Sequence, residues 1–344
     1  MNKIVSLLIA WYDRVKKPLP WRESPTPYHV WVSEIMLQQT RIEAVLPYYH
    51  RFLTELPTVR DLAQVEDDRL MKLWEGLGYY SRARNLKKAA GMIVSSYGGE
   101  LPRTADELRR LPGIGDYTAG AIASIAFGEP EPAVDGNVLR VVSRITASPA
   151  DIAQEKTKRA VREQLRAVYP SGNDAGRFTQ GLMELGETVC LPNAEPNCGV
   201  CPVKDHCQAC LTGTTDRYPV KSEKKARRVE DRTVFLLRCG SRYAIRKRPD
   251  GGLLAEMWEF PNFERHLSTD EACAAAEKMG LSVKAIRTVG KAKHIFSHVE
   301  WHMIGYEITV DTAEETLTWA DAETIRRMYA IPAAFRYFTE QIEA

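Results

Sequence analysis

No run of apolar residues in this 344-residue chain approaches the roughly 20 needed to cross a bilayer, so a helical membrane protein is excluded. The opening Met1-Asn2-Lys3-Ile4-Val5 enters an amphipathic pattern that continues through Trp11 and Tyr12. It lacks the apolar core and small-residue cleavage site of a secretory signal, so a cytoplasmic chain is expected. Neither sign of charge dominates: the net charge is +2, which by itself says little about nucleic acid. Internal repeats and low-complexity tracts are missing, which excludes a solenoid. The chain has seven cysteines, too clustered for a disulfide framework and better suited to a reducing compartment.

Length predicts two domains of ordinary size. Residues 1 to about 213 read as short helices: Thr58-x-x-Asp61 and Thr104-x-x-Glu107 are capping-box starts, and Pro27 after Thr26 suits a helix's first turn. From about 230 the period changes to that of strands. Two runs flank Cys239-Gly240-Ser241 as a hairpin, and Trp258–Phe260, 284–289 and Trp301–Val310 read as further strands. Ser268-x-x-Glu271 caps a helix ending near Gly280, and two more helices fit the stretch 321–344. The expected architecture is a mainly α domain (1–213), a basic linker (214–229) and a mixed α+β domain (230–344). Charge follows this division: residues 201–250 hold 13 Lys/Arg against 6 Asp/Glu, whereas residues 301–344 hold 3 against 8. The basic run Lys221–Arg228 suits a solvated linker that also touches phosphate.

Cys190, Cys198, Cys201 and Cys207 follow the pattern Cys-x7-Cys-x2-Cys-x5-Cys. Thiolates this close converge on one metal centre. The outer ligands stand too far from the tight Cys198-x-x-Cys201 loop for the usual paired zinc motif, and an iron–sulfur cube suits the spacing better. Cys210 is near enough to serve as a spare, but Cys207 fits the spacing. Cys239 and Cys273 are expected to be ordinary buried thiols.

Upstream lies the turn Leu111-Pro112-Gly113-Ile114-Gly115, between a short helix and another from Asp116 to about Phe127. Its glycines let the backbone approach a ligand, and the N–H groups that follow, with the helix dipole behind them, suit a phosphate oxygen. Asp135, opening Asp135-Gly136-Asn137-Val138, comes shortly after that second helix. Taken alone it is an ordinary helix N-cap.

Order and spacing together carry more than any one motif. A helix–hairpin–helix turn, an aspartate at this distance and a four-cysteine cluster make residues 1–210 resemble the endonuclease III-like DNA glycosylases. Within them the chain resembles the adenine DNA glycosylases of the MutY type, through Leu19-Pro20-Trp21-Arg22, Ser33-Glu34-Ile35-Met36-Leu37-Gln38-Gln39-Thr40, Gly76-Leu77-Gly78-Tyr79-Tyr80-Ser81-Arg82 and Gly181-Leu182-Met183-Glu184-Leu185-Gly186. The first cysteine gap holds seven residues where that family more often has six.

The resemblance implies a 4Fe–4S cluster on Cys190, Cys198, Cys201 and Cys207, and double-stranded DNA as partner. The substrate is then adenine opposite 8-oxoguanine or guanine, and the enzyme acts as a monomer. Glu34 is the implied general acid and Asp135 the carboxylate that stabilises the oxocarbenium-like sugar, with Tyr117 and Asn137 beside them. Breaking an N-glycosidic bond needs such a pair, and Glu34 needs a pKa raised by roughly 2 units, about 2.7 kcal/mol, which burial among Trp31, Ile35 and Leu37 would supply. Arg22, Trp21 and Gln180 match positions that hold the extruded base. Gln39, Thr40 and Tyr79 match those that wedge into the stack, and Gly113 and Gly115 the phosphate turn. Bifunctional relatives carry a lysine where Tyr117 stands, so a glycosylase without strand cleavage is expected. Arg140 and Arg144, on the helix after Asp135, are expected to hydrogen-bond the cluster's sulfurs, and its loop to present Lys204 to phosphate.

The second domain resembles that family's Nudix-like domain through Arg248–Pro261, with Phe296, Ser297 and His298 as the lesion-reading loop. Oxidation makes guanine N7 a donor, which the Ser297 hydroxyl can accept. No Arg-Glu-x-x-Glu-Glu helix follows, which argues against diphosphate hydrolysis. Three rival readings remain: a bifunctional glycosylase/lyase, a Nudix hydrolase, and a non-catalytic iron–sulfur DNA-binding protein.

Overall fold

A computed structural model describes residues 2–222 and 226–343; Glu223, Lys224 and Lys225 of the basic run lie outside them. The chain forms two compact units, Met1–Gln64 with Arg84–Glu223, and Val65–Ala83 with Lys224–Ala344.

The first unit is helical among its described residues. Both predicted capping residues act as such: the Asp61 N–H donates to Thr58 Oγ1 at 3.2 Å, and Glu107 N–H to Thr104 Oγ1 at 3.3 Å. Thr26 caps the helix Pro27–Leu37, with proline in its first turn. The core draws on the helices Asn2–Val15, Gly136–Thr146 and Asn173–Thr188, through Leu8, Tyr12, Val138, Val142, Phe178 and Leu182. In Gly136–Thr146 every residue from Val138 to Ile145 is buried, the polar Arg140, Ser143 and Arg144 included, so the helix is enclosed on all sides.

The second unit is built on a mixed sheet. Its strands are β1 (Arg228–Cys239), β2 (Arg242–Lys247), β3 (Trp258–Glu259), β4 (Asn262–Phe263), β5 (Val283–Ile295), β6 (Val299–Val310) and β7 (Thr318–Asp321). The order is β3-β2-β1-β6-β5, with β4 on β1 and β7 on β2. β1 pairs in parallel with β6, while β2 and β5 are antiparallel to their neighbours. Both faces are covered. Val234 and Leu236 of β1 and Trp301 and Met303 of β6 pack with Ile325, Phe335 and Phe338, whereas Phe235, Leu237, Tyr306 and Ile308 pack with Ala272 and Ala276 of the helix Thr269–Lys278. That double burial explains the continuous apolar run Val234-Phe235-Leu236-Leu237 in β1, buried throughout. The predicted hairpin, capped helix and late helices all form, the last at Ala322–Met328 and Arg336–Thr339. β4 and β7 add to the expected strands. Cys239 and Cys273 are half-buried, not buried as expected: Cys239 is the last residue of β1, and Cys273 lies mid-helix in Thr269–Lys278 beside the buried Ala272.

Candidate active site

Helix Pro27–Leu37 carries Glu34 on a face that is buried along almost its whole length. Only 6% of Glu34 is exposed, between the buried Trp31 and Ile35. Burial pushes its carboxyl up to about 7; the hydrogen bond from Tyr117 opposes this, the charge of Asp135 reinforces it, and Arg22 opposes it. Tyr117 stands in the first turn of helix Asp116–Phe127, directly after the glycine turn. Its hydroxyl donates to Glu34 Oε2 at 2.6 Å. Burial, and the neighbouring Glu34 and Asp135 charges, hold the phenol well above its ordinary value, so it stays a donor.

The turn itself has a sharp requirement at Gly113. Its φ is +78°, and a Cβ there would lie 2.7 Å from the Cβ of Asn85. At Gly115 the backbone is extended and a Cβ would meet nothing within 4 Å, so the helix N-terminus stays open.

Asp135 caps the helix Gly136–Thr146, its Oδ1 accepting from the Val138 N–H at 2.8 Å. The other oxygen accepts from Asn137 Nδ2 at 3.1 Å, and the side-chain Oδ1 of Asn137 accepts from Arg140 Nη2 at 2.8 Å. The capping role and a place in the pocket thus coexist. Burial raises the Asp135 carboxyl above its ordinary value, against the pull of Val138, Asn137 and Arg140. Gly186 makes this packing possible: a Cβ on it would stand 2.6 Å from the Asn137 Cβ.

Glu34, Asp135, Tyr117 and Asn137 line one cavity of about 440 Å³, together with Trp21, Arg22, Gln180 and Thr40. No lysine is among its described lining residues. Gln39 does not line it; its φ of +58° bends the chain where the helix ends. Trp21 is held edge-on against Tyr49, with ring centroids 5.1 Å apart. Sequence reasoning missed the anchor of Arg22. Its Nη2 bonds Glu184 Oε2 at 2.8 Å, and Glu184 is 1% exposed. The spacing of Gln180, Glu184 and Glu187 along one helical face was the available clue.

In the second unit, Tyr79 and Ser297 share a hydrogen bond of 2.7 Å. Tyr79 is 44% exposed and has a φ of +48°. Ser297 and His298 are exposed in the turn between β5 and β6, and Phe296 anchors that turn edge-on against Trp301 at 4.9 Å.

The cysteines Cys190, Cys198, Cys201 and Cys207 line a second cavity of the first unit, as does Cys210. Its walls are apolar (Val141, Ile145, Leu185, Val189), with Arg144 as a cation at the thiols. Arg144 Nη1 donates to Cys190 Sγ at 3.2 Å, as expected. Arg140 does not reach a sulfur; it donates to the carbonyls of Cys190 and Gly186 at 2.8 and 2.7 Å, because Asn137 draws its guanidinium toward Asp135. Lys204 is exposed beside the cavity. Among the described residues no group of three or more His, Cys, Asp or Glu is arranged to hold a single metal ion. Several soft thiols around an apolar hollow, with a guanidinium to balance their charge, fit a polynuclear sulfur-bridged centre.

Residues 32–167 match the model of the HhH-GPD superfamily of base excision DNA repair proteins, and residues 233–341 that of the NUDIX domain. The chain is 34% identical to the adenine DNA glycosylase of Mus musculus, over 97% of this chain and 78% of the relative. It is 31% identical to that of Buchnera aphidicola subsp. Acyrthosiphon pisum, over 86% of this chain and 84% of the relative. Among solved structures it is similar to a thermostable thymine-DNA glycosylase, with 27% identity and a TM-score of 0.56 over 61% of this chain and 96% of the other. It is also similar to endonuclease III in a non-covalent DNA complex, with 25% identity and a TM-score of 0.52 over 61% and 95%. The identity to the adenine DNA glycosylases runs across most of the chain, and the chain belongs to that family, the enzymes that excise adenine from DNA.

Proposed function

We propose that this enzyme is a monofunctional glycosylase acting on adenine opposite 8-oxoguanine or guanine, with Glu34 as general acid. The observation that carries the reading is a carboxyl held at about 7 by burial in the cavity that Asp135 also lines. Near neutral pH such a carboxyl can hold a proton and give it to N7 of an extruded adenine. Positive charge then grows on the sugar, and Asp135, fixed by Val138 and Asn137, stabilises it. Glu34, now ionised and still bonded to Tyr117, activates the water that completes hydrolysis. Arg22, Trp21 and Gln180 hold the base. Without a lysine amine among the described lining residues no Schiff base forms, so the product is an intact strand with an abasic site.

The functional division proposed is glycosylase (1–213), basic linker (214–229) and lesion-recognition domain (230–344), with Tyr79 joining Ser297 in reading the opposite base. Gln39 and Thr40 enter the stack, and Gly113 and Gly115 bind phosphate. Cys190, Cys198, Cys201 and Cys207 would hold a 4Fe–4S cluster, which supplies a rigid crosslink to the loop that bears Lys204. The proposed working form is a cytoplasmic monomer. No helix among the described residues is long and apolar enough to cross a membrane.

The test uses duplexes with adenine opposite 8-oxoguanine, guanine or thymine. The expected result is cleavage at adenine in the first two, and only after alkali. Strand breaks without alkali, or a borohydride-trapped adduct as the main product, would overturn it.

A further inference from the structure

The helix Asp67–Trp74 lies inside the stretch that matches the HhH-GPD superfamily, yet it folds as part of the second unit. Both of its ends are tied there. Near the first, Asp68 Oδ1 accepts from Lys247 Nζ at 2.8 Å and from Trp258 Nε1 at 3.2 Å. Trp258 in turn stands edge-on to Tyr329, with ring centroids 4.7 Å apart. At the other end Lys72 and Glu75 form an ion pair of 2.6 Å and together hold the backbone where the helix Ala322–Met328 stops. Lys72 Nζ donates to the carbonyls of Arg326 and Tyr329 at 2.5 and 3.1 Å, and Glu75 Oε1 accepts from the Ile331 N–H at 2.8 Å. The last carbonyls of a helix lack intrahelical partners and carry the negative end of its dipole, so an ammonium suits them.

From Glu75 the chain reaches Tyr79 in four residues, through a turn with little freedom. Gly76, Gly78 and Tyr79 have φ values of +100°, +71° and +48°. Trp74 Nε1 donates to the Gly78 carbonyl at 3.2 Å, and Arg82 Nη2 donates to the carbonyls of Leu77 and Gly78, each at 3.1 Å. What fixes Glu75 therefore also fixes the Tyr79 hydroxyl, 2.7 Å from Ser297 Oγ. We propose that Lys72 and Glu75 are positioning residues that set specificity for the base opposite adenine. Neither is among the described residues lining the cavity of Glu34 and Asp135. They act through Tyr79, so their loss blurs the reading of 8-oxoguanine and leaves excision itself intact. The inference rests on the lesion-reading role proposed for Tyr79 and Ser297.

The experiment measures kcat/KM on duplexes with adenine opposite 8-oxoguanine and adenine opposite guanine. It compares the full-length wild type with Lys72→Ala, Lys72→Arg, Ser297→Ala and the Lys72→Ala/Ser297→Ala pair. Lys72→Ala is expected to lower the preference for the 8-oxoguanine mispair by about tenfold, the size of one lost hydrogen bond, with the guanine mispair processed near the wild-type rate. Lys72→Arg keeps a cation and its donors and should restore most of the preference. In the Ser297→Ala background Lys72→Ala should change nothing further, because both act through one contact. If Lys72→Ala is recovered only as aggregate, Glu75→Gln carries the same comparison: it keeps an acceptor for Ile331 and gives up the ion pair. Equal losses on both mispairs, or a full further loss in the double variant, overturn the positioning role. An unchanged preference in Lys72→Ala beside a lowered one in Ser297→Ala overturns it too, while leaving the lesion reading intact. An unchanged preference in Ser297→Ala overturns both.

Discussion

The phenol of Tyr117 donates to Glu34 at 2.6 Å, and that one bond sets a limit on how far burial can raise the acid. A donor favours the ionised carboxylate, so removing it leaves desolvation less opposed. Tyr117→Phe keeps the ring and its packing but deletes the donor. A general acid works in its protonated form, so excision falls as pH rises through the Glu34 pKa of about 7. In Tyr117→Phe the descending limb of the single-turnover rate should move to higher pH. A limb that stays in place would remove Tyr117 from the control of Glu34.

Asp135→Asn separates the two jobs of that residue. Asparagine caps helices about as well as aspartate, so Val138 keeps its partner and the fold should survive. The charge opposite the developing sugar cation is gone. Excision should fall by at least about a hundredfold while binding to mispaired duplex in a gel-shift assay stays within a fewfold of wild type. Equal losses in binding and turnover would point to a structural role alone.

Ser297 offers a third test. With Tyr79 as donor in their 2.7 Å bond, the Ser297 oxygen keeps a lone pair for the N7–H that oxidation gives guanine. Ser297→Ala should lower the preference for adenine opposite 8-oxoguanine over adenine opposite guanine by about tenfold, the worth of one hydrogen bond, with activity on the guanine mispair kept. An unchanged ratio of kcat/KM values would remove this residue from lesion reading.

Sequence alone carried the local features and faltered on the long-range ones. The glycine turn, the caps at Thr58, Thr104 and Ser268, and the hairpin at Gly240 are written in neighbouring residues, and all appear where expected. The raised Glu34 was legible too, because Trp31 and Ile35 flank it on the same helix and both are buried. Glu184 was legible only in part: its spacing from Gln180 marks a shared helical face, but its partner Arg22 lies 162 residues away in the chain. Arg140 was misassigned for a similar reason: it reaches Cys190 only at the backbone carbonyl, and Asn137 and the carbonyl of Gly186 take its other donors. β4 has two residues and β7 four, too few for an alternation to register.

The same burial that arms Glu34 should weaken the fold at alkaline pH. Its folded pKa is about 7 against an ordinary 4.5, so between those values the native state holds a proton that the unfolded chain has released. Stability from this group is therefore fully present below about 4.5 and lost as pH rises through 7. A shift of that size amounts to on the order of 3 kcal/mol above neutrality. Glu34→Gln never ionises, and its amide can still accept from Tyr117. It should unfold at higher temperature than wild type at pH 8, with the difference shrinking toward pH 5, and it should have lost excision. An inactive variant with no gain in Tm at pH 8 would mean that Glu34 is not strained by its surroundings, and the general-acid assignment would lose its physical basis.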